Sequence, residues 1–103
     1  GNGEFLKTII KQFLKQFPGE MEALKNAVDQ QNHRQVATRA HHIQSTVSIM
    51  GKNTPFFQQL EKLENLAKRN EEPVTLHVEF NKLHDYKQQL LLEVHQLLNA
   101  KVF

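Results

Sequence analysis

The segment NHRQVATRAHHIQSTVSIMG, residues 32–51, establishes the helical character of the chain. Its apolar residues recur every three or four positions, as on one face of an α-helix, with no sustained two-residue alternation typical of a strand. Asn32 is suited to cap the start of this helix, and Gly51 is placed to end it. The apolar stripe consists of Val36, Ala40, Ile43, Val47 and Met50. The segment therefore predicts an amphipathic helix with one buried face.

Proline and glycine divide the rest of the chain into segments with the same apolar spacing. The divisions fall at positions 18–19, 51–55 and 71–73, where these two residue types mark turns. In the first segment the apolar spacing keeps its phase across Pro18. Because proline removes a backbone donor and crowds the preceding turn, the first helix is predicted to be either kinked or broken at this residue.

The third and fourth helices complete the predicted architecture. Thr54 is a suitable cap, and Pro55 occupies the first helical position, where proline is favoured. A last helix from about Val74 to Lys101 would be about 40 Å long. Short connections join antiparallel neighbours in helical bundles. The sequence therefore predicts an all-α fold, an antiparallel up-down four-helix bundle.

The composition indicates one small domain. The chain has 103 residues and a mass of 12.0 kDa, and residues 1–3 are predicted to be a remnant of cloning that precedes a single monomeric domain, 4–103. The 13 Lys and Arg residues nearly balance 11 Asp and Glu residues without forming a basic run, which argues against nucleic-acid binding. No apolar stretch approaches the roughly 20 residues needed to cross a membrane. The absence of cysteine excludes disulfides and thiolate metal sites.

Two adjacent histidines, His41 and His42, are the candidate reactive groups. At 100° per residue they lie roughly 140° and roughly 120° from the centre of the apolar stripe, on opposite sides, so both are predicted to reach solvent. An exposed imidazole is mostly neutral at pH 7 and is then a nucleophile that needs no base. The neighbours of His41 on the same face are Arg34, Thr38, Gln44, Ser45 and Ser48. From spacing alone, two ordinary surface histidines remain the commoner explanation.

A longer pattern distinguishes the two histidines. The residues that carry it are Phe17, Pro18, Met21, Leu24, Ala27, Ala40, His41, Ile43 and Gly51. With them, the chain between residues 13 and 69 resembles the histidine-containing phosphotransfer (HPt) domain family. In that family an Ala-His pair is followed by a hydrophobic residue two positions after the histidine and by a glycine ten positions after it. Only His41 satisfies both spacings.

The resemblance implies a phosphorelay function. His41 would accept a phosphoryl group from the aspartyl phosphate of a response-regulator receiver domain and pass it to another receiver. The chain would then be a covalent carrier rather than a stand-alone enzyme, with no cofactor of its own, and Mg²⁺ would come from the partner receiver. It would act in the cytoplasm, either alone or as the C-terminal part of a hybrid two-component sensor histidine kinase anchored in the membrane.

The candidate site departs from the family pattern at two positions. Gln44 stands where the family usually has lysine, and Ser45 stands where it usually has glycine. Gln44, Ser45, Thr38, Ser48 and Arg34 are predicted to support the phosphoryl group or to dock the partner, and Gly51 is predicted to be structural. The missing lysine leaves an alternative open, a catalytically silent helical module that docks receivers without carrying phosphate.

A metal site is not predicted. The three histidines of the last helix, His77, His84 and His95, are spaced seven and eleven residues apart. Consecutive members are therefore about 10 Å or more apart along a helix that rises 1.5 Å per residue. One ion cannot be held across that distance.

Overall fold

Four α-helices account for most of residues 2–99, which are the residues that the computed structural model describes; side chains are described for residues 4–99. The helices are α1 (Asn2–Asp29), α2 (His33–Val47), α3 (Pro55–Lys68) and α4 (Pro73–Asn99). A single 3₁₀ turn, Ser48–Met50, extends α2. Of the predicted cloning remnant, Gly1 lies outside the described residues, as does the predicted end of the last helix at Lys101.

Side-chain caps and one glycine set the ends of the two middle helices. Asn32 Oδ1 accepts a hydrogen bond from the Gln35 backbone N–H at 3.1 Å, and α2 begins at the next residue. Thr54 Oγ1 accepts from the Phe57 N–H at 3.2 Å, with Pro55 at the first helical position of α3. Gly51 has φ +99°, which residues with a side chain rarely adopt, and it ends the 3₁₀ turn. The predicted caps are confirmed.

The first helix continues through Pro18. Its span from Asn2 to Asp29 is unbroken, although Pro18 has no N–H to donate to the Leu14 carbonyl. Pro18 itself is exposed, whereas Phe17 is 2% and Met21 is 7% exposed on either side of it. Of the two predicted outcomes, a break does not occur, because the apolar face is packed against the core both before and after the proline.

The helices pack as the predicted four-helix bundle. α2 packs against α1 and α3, and α4 packs against the same two helices, so consecutive helices are neighbours. The predicted stripe of α2 forms part of the core, since Val36, Ala40, Ile43 and Val47 are all 0% exposed. Three rings from α1 and α3 pack together at tilted angles, with the centroid of Phe17 5.0 Å from that of Phe13 and 5.6 Å from that of Phe56. Each fully buried large apolar side chain contributes about 1.5–3 kcal/mol.

A buried carboxylate joins α3 to α4. Glu79 is 5% exposed, and its oxygens lie 2.7 Å from Lys62 Nζ and 2.8 Å from Lys82 Nζ. The amide of Gln59 donates to the backbone carbonyl of Glu79 at 2.8 Å. Hydrogen bonds from Lys62 and Lys82 lower the pKa of Glu79 to about 2, although burial alone would raise it. This cluster attaches α3 to the longer helix α4.

None of the helices in residues 2–99 combines the length and the apolar character needed to cross a membrane.

Candidate functional site

The two adjacent histidines of α2 point toward different neighbouring helices. The side chain of His41 is 68% exposed and that of His42 is 63% exposed, so both reach solvent as the helical pattern predicts. Because successive residues turn by 100° around a helix, His41 lies on the α3 side and His42 on the α1 side. Each neighbouring helix supplies one carboxylate, Glu64 from α3 and Glu20 from α1.

Glu64 contacts His41 and two further donors. Nδ1 of His41 lies 3.2 Å from Oε2 and 3.3 Å from Oε1 of Glu64. Nε2 of Gln44 donates to Oε1 at 2.7 Å, and Nζ of Lys68 lies 2.8 Å from Oε2. The side chain of Glu64 is only 9% exposed. Three donors from two helices therefore surround one largely buried carboxylate.

The charge of Glu64 determines which nitrogen of His41 carries the proton. Burial by itself raises the pKa of this carboxyl, but hydrogen bonds from its three partners outweigh burial and bring the pKa of Glu64 below its ordinary value. Glu64 is therefore ionised at neutral pH and can only accept hydrogen bonds. Nδ1 must be the donor, so a neutral His41 has its proton on Nδ1 and its free lone pair on Nε2.

The ring of His41 borders open space. Nδ1 is the ring atom held against Glu64 of α3, and the side chain that carries Nε2 is 68% exposed. On one side of the ring lies a shallow concavity lined by Ala37, Thr38 and Lys68. On the other side lies an open groove of about 620 Å³, lined by Ser45, Ser48, Lys52, Asn53, Phe57 and Glu61. A partner can therefore reach the ring of His41 from solvent.

His42 has a different environment. Its Nε2 lies 3.8 Å from Oε2 of Glu20, which is too long for a hydrogen bond. Glu20 instead accepts a bond from the hydroxyl of Thr46, with Oγ1 2.9 Å from Oε2. The outer nitrogen of His42, the one that corresponds to the free nitrogen of His41, therefore faces a carboxylate. Electrostatic repulsion from Glu20 disfavours the approach of an anionic group to that nitrogen.

Gln44 lies on the side of α2 that faces α3. It is 7% exposed, and its amide is engaged with Glu64 rather than held out toward a partner. The sequence places Gln44 three residues after His41, on a shared face. Its burial follows from the position of α3, which covers that face and supplies the carboxylate.

The other predicted site residues lie near His41 on the surface of α2 and of the 3₁₀ turn that follows it. The hydroxyl of Thr38 donates to the Arg34 backbone carbonyl at 2.9 Å, and that of Ser48 donates to the Ser45 carbonyl at 2.7 Å. Ser45 and Arg34 are exposed. The two hydroxyl protons are therefore used within the helix, and the oxygens of Thr38 and Ser48 keep lone pairs that can accept from a partner.

No protein-family model, curated protein or solved structure matches this chain.

Three of the remaining histidines make contacts that differ from those of His41. Nε2 of His33 bonds to the Glu71 backbone carbonyl and joins the start of α2 to the α3–α4 connection. His77 Nδ1 lies 3.9 Å from an oxygen of Asp29, and the ring of His84 meets the ring of Phe80 edge-on. Within residues 2–99 there is no group of three His, Asp or Glu side chains arranged to hold a metal ion.

Sequence reasoning missed Glu64 and Lys68. The signal available for them is weak: Glu64 adjoins the apolar stripe of α3, immediately after Leu63, and Lys68 follows it by four residues. An acidic residue beside a buried stripe requires a partner. Glu64 has His41 and Gln44 as its partners because of the way α3 is rotated and offset against α2.

Proposed function

We propose that this chain is a phosphorelay intermediate that carries a phosphoryl group on His41 between receiver domains. The observation that carries the proposal is the exposed His41 ring with its Nδ1 bound to the ionised carboxylate of Glu64. This arrangement keeps a lone pair on Nε2, which is the property that a phosphoryl acceptor needs. A carboxylate that burial disfavours lies within hydrogen-bonding distance of this imidazole, whereas a protein that only docks partners has no need of an oriented ring.

The chemical step needs no general base in this chain. The Nε2 lone pair of His41 forms a bond to phosphorus as the bond from phosphorus to the aspartate oxygen of the receiver breaks. The aspartate leaves as a carboxylate with the electron pair of the broken bond. Nδ1 keeps its proton, so the product is a phosphorylated imidazolium, and its positive charge is stabilised by the neighbouring Glu64. Transfer to the next receiver is the reverse of this step.

The partner supplies the rest of the site. The transferring phosphoryl group develops charge on its equatorial oxygens, which Mg²⁺ and basic residues of a receiver neutralise. This chain contributes a helix that carries an exposed imidazole and open surface beside the ring. A short-lived contact of small area suits a relay, since the carrier must release one partner to meet the next. Receiver domains of the cytoplasm are therefore the proposed partners.

The experiment is phosphoryl transfer from a radiolabelled phospho-receiver in the presence of Mg²⁺. The wild type is compared with His41→Gln and with His42→Gln, a matched control because His42 is the adjacent residue and is similarly exposed. We expect acid-labile label on the wild type and on His42→Gln, and none on His41→Gln. Label that persists in His41→Gln would refute the assignment of the acceptor. No label on the wild type with any of several receivers would favour the silent interaction module.

A further inference from the structure

The candidate site lacks a cation on α2 at position 44, where the family pattern has lysine. A lysine of α3 contacts the same carboxylate as Gln44 does. Lys68 is the last residue of α3, and its ammonium contacts the carboxylate that holds His41. We infer that Lys68 is the phosphoryl-binding cation of this site and that Glu64 holds it beside the imidazole until the phosphoryl group arrives. The inference rests on the proposed function.

The contacts with Glu64 place Nζ of Lys68 close to Nδ1 of His41. Lys68 Nζ lies 2.8 Å from Glu64 Oε2, and His41 Nδ1 lies 3.2 Å from the same oxygen. The two nitrogens can therefore be no farther apart than these two distances combined. Lys68 and His41 also line the same shallow concavity. The lysine side chain is 61% exposed, so its flexible four-carbon stem is free to change partners.

Gln44 is explained by the same arrangement. It faces Glu64 from a position that is 7% exposed, and its neutral amide satisfies Oε1. A lysine at position 44 would bring a second ammonium to this buried carboxylate, in competition with Lys68. With Gln44 in place, the positive charge comes from α3 and stays at the surface. The departure from the family pattern at position 44 and the presence of Lys68 are therefore parts of one arrangement.

Phosphorylation of His41 would change the balance of charges. A phosphoryl group adds roughly 1.5 to 2 negative charges near pH 7 and three acceptor oxygens. These oxygens attract the ammonium of Lys68 more strongly than the single carboxylate of Glu64 does. Lys68 then moves from Glu64 to the phosphoryl group, while Glu64 keeps its bond with the Nδ1 proton. Lys52 also lines a groove beside His41. It forms no ion pair with Glu64, whose partners are His41 and Lys68, and it is the competing cation.

The test uses phosphoramidate, a small phosphoryl donor that removes any effect of partner docking. The rates of phosphohistidine formation and loss are measured by phosphorus NMR for the wild type, Lys68→Met, Lys68→Arg and Lys52→Met. An exposed ion pair of this kind changes an equilibrium or a rate by at most about fivefold, so we expect Lys68→Met to form phosphohistidine more slowly, by up to about fivefold. We expect Lys68→Arg to stay near the wild type and Lys52→Met to be unchanged.

A second measurement separates phosphoryl binding from a structural role. Nitrogen NMR of the imidazole reports which ring nitrogen carries the proton, and we expect Lys68→Met to retain the Nδ1–H form of His41. Wild-type rates in Lys68→Met, a slower rate in Lys52→Met, or a changed tautomer in Lys68→Met would each overturn the inference. If the wild type accepts phosphate and Lys68→Met does so equally, the inference alone fails. If the wild type accepts none from phosphoramidate or from receivers, the proposed function fails as well.

Discussion

The contacts of Glu79 with Lys62 and Lys82 make the stability of the bundle depend on pH. Substitution of Glu79 alone measures this contribution. The folded carboxyl has a pKa of about 2, against an ordinary value of 4.5. A carboxyl whose pKa is lower in the folded state stabilises the fold above its unfolded pKa, and this contribution is lost as the pH falls toward the folded pKa. The stabilisation by Glu79 is therefore complete near pH 6 and disappears between about pH 5 and pH 2.

The size of the stabilisation follows from the same two pKa values. A shift from 4.5 to about 2 corresponds to roughly 3 kcal/mol, at about 1.4 kcal/mol for each pKa unit. The two lysines are about half exposed, 55% for Lys62 and 50% for Lys82, so solvent screening weakens the pairs. We therefore expect about 2 kcal/mol. Glu79→Gln places a neutral amide of similar shape at this position and mimics the protonated acid.

The assay is urea unfolding followed by far-UV circular dichroism, with wild type and Glu79→Gln compared at several pH values. We expect the wild type to be more stable by about 2 kcal/mol near pH 6 and the difference to approach zero near pH 2. Glu22→Gln, an exposed carboxyl on α1, is the control and should differ little from wild type at either pH. A difference for Glu79→Gln that is equally large at both pH values would refute the electrostatic explanation.

Two further substitutions test the helix ends and the proline. Pro18→Ala restores a backbone donor within α1 at an exposed position. It should raise the free energy of unfolding by about 1–2 kcal/mol. A lower free energy of unfolding would mean that α1 requires the proline. Thr54→Ala removes the oxygen that accepts the Phe57 N–H and should lower the free energy of unfolding by about 1 kcal/mol. Urea midpoints measure both, and no change in Thr54→Ala would contradict the capping role.

Much of the fold could be predicted because helix patterns are local. The cap at Asn32 acts on an N–H three residues away, and the positive φ at Gly51 belongs to one residue. The continuity of α1 through Pro18 could not be predicted from neighbouring residues alone. The pattern allowed either a kink or a break, and burial of Phe17 and Met21 on either side of the proline decided for a continuous helix, because the packing of the apolar face outweighs one missing hydrogen bond.

The candidate site divides in the same way. The sequence by itself determined that His41 projects from α2 into solvent, because the angle between a residue and the apolar stripe depends only on helical geometry. Only the tertiary structure decided that Glu64 and Lys68 meet this ring. These residues are more than twenty positions from His41 along the chain, and the helical pattern cannot say which residue of α3 lies opposite which residue of α2. The rotation and offset of two helices are set by how their buried side chains interlock, and that interlocking orients the imidazole.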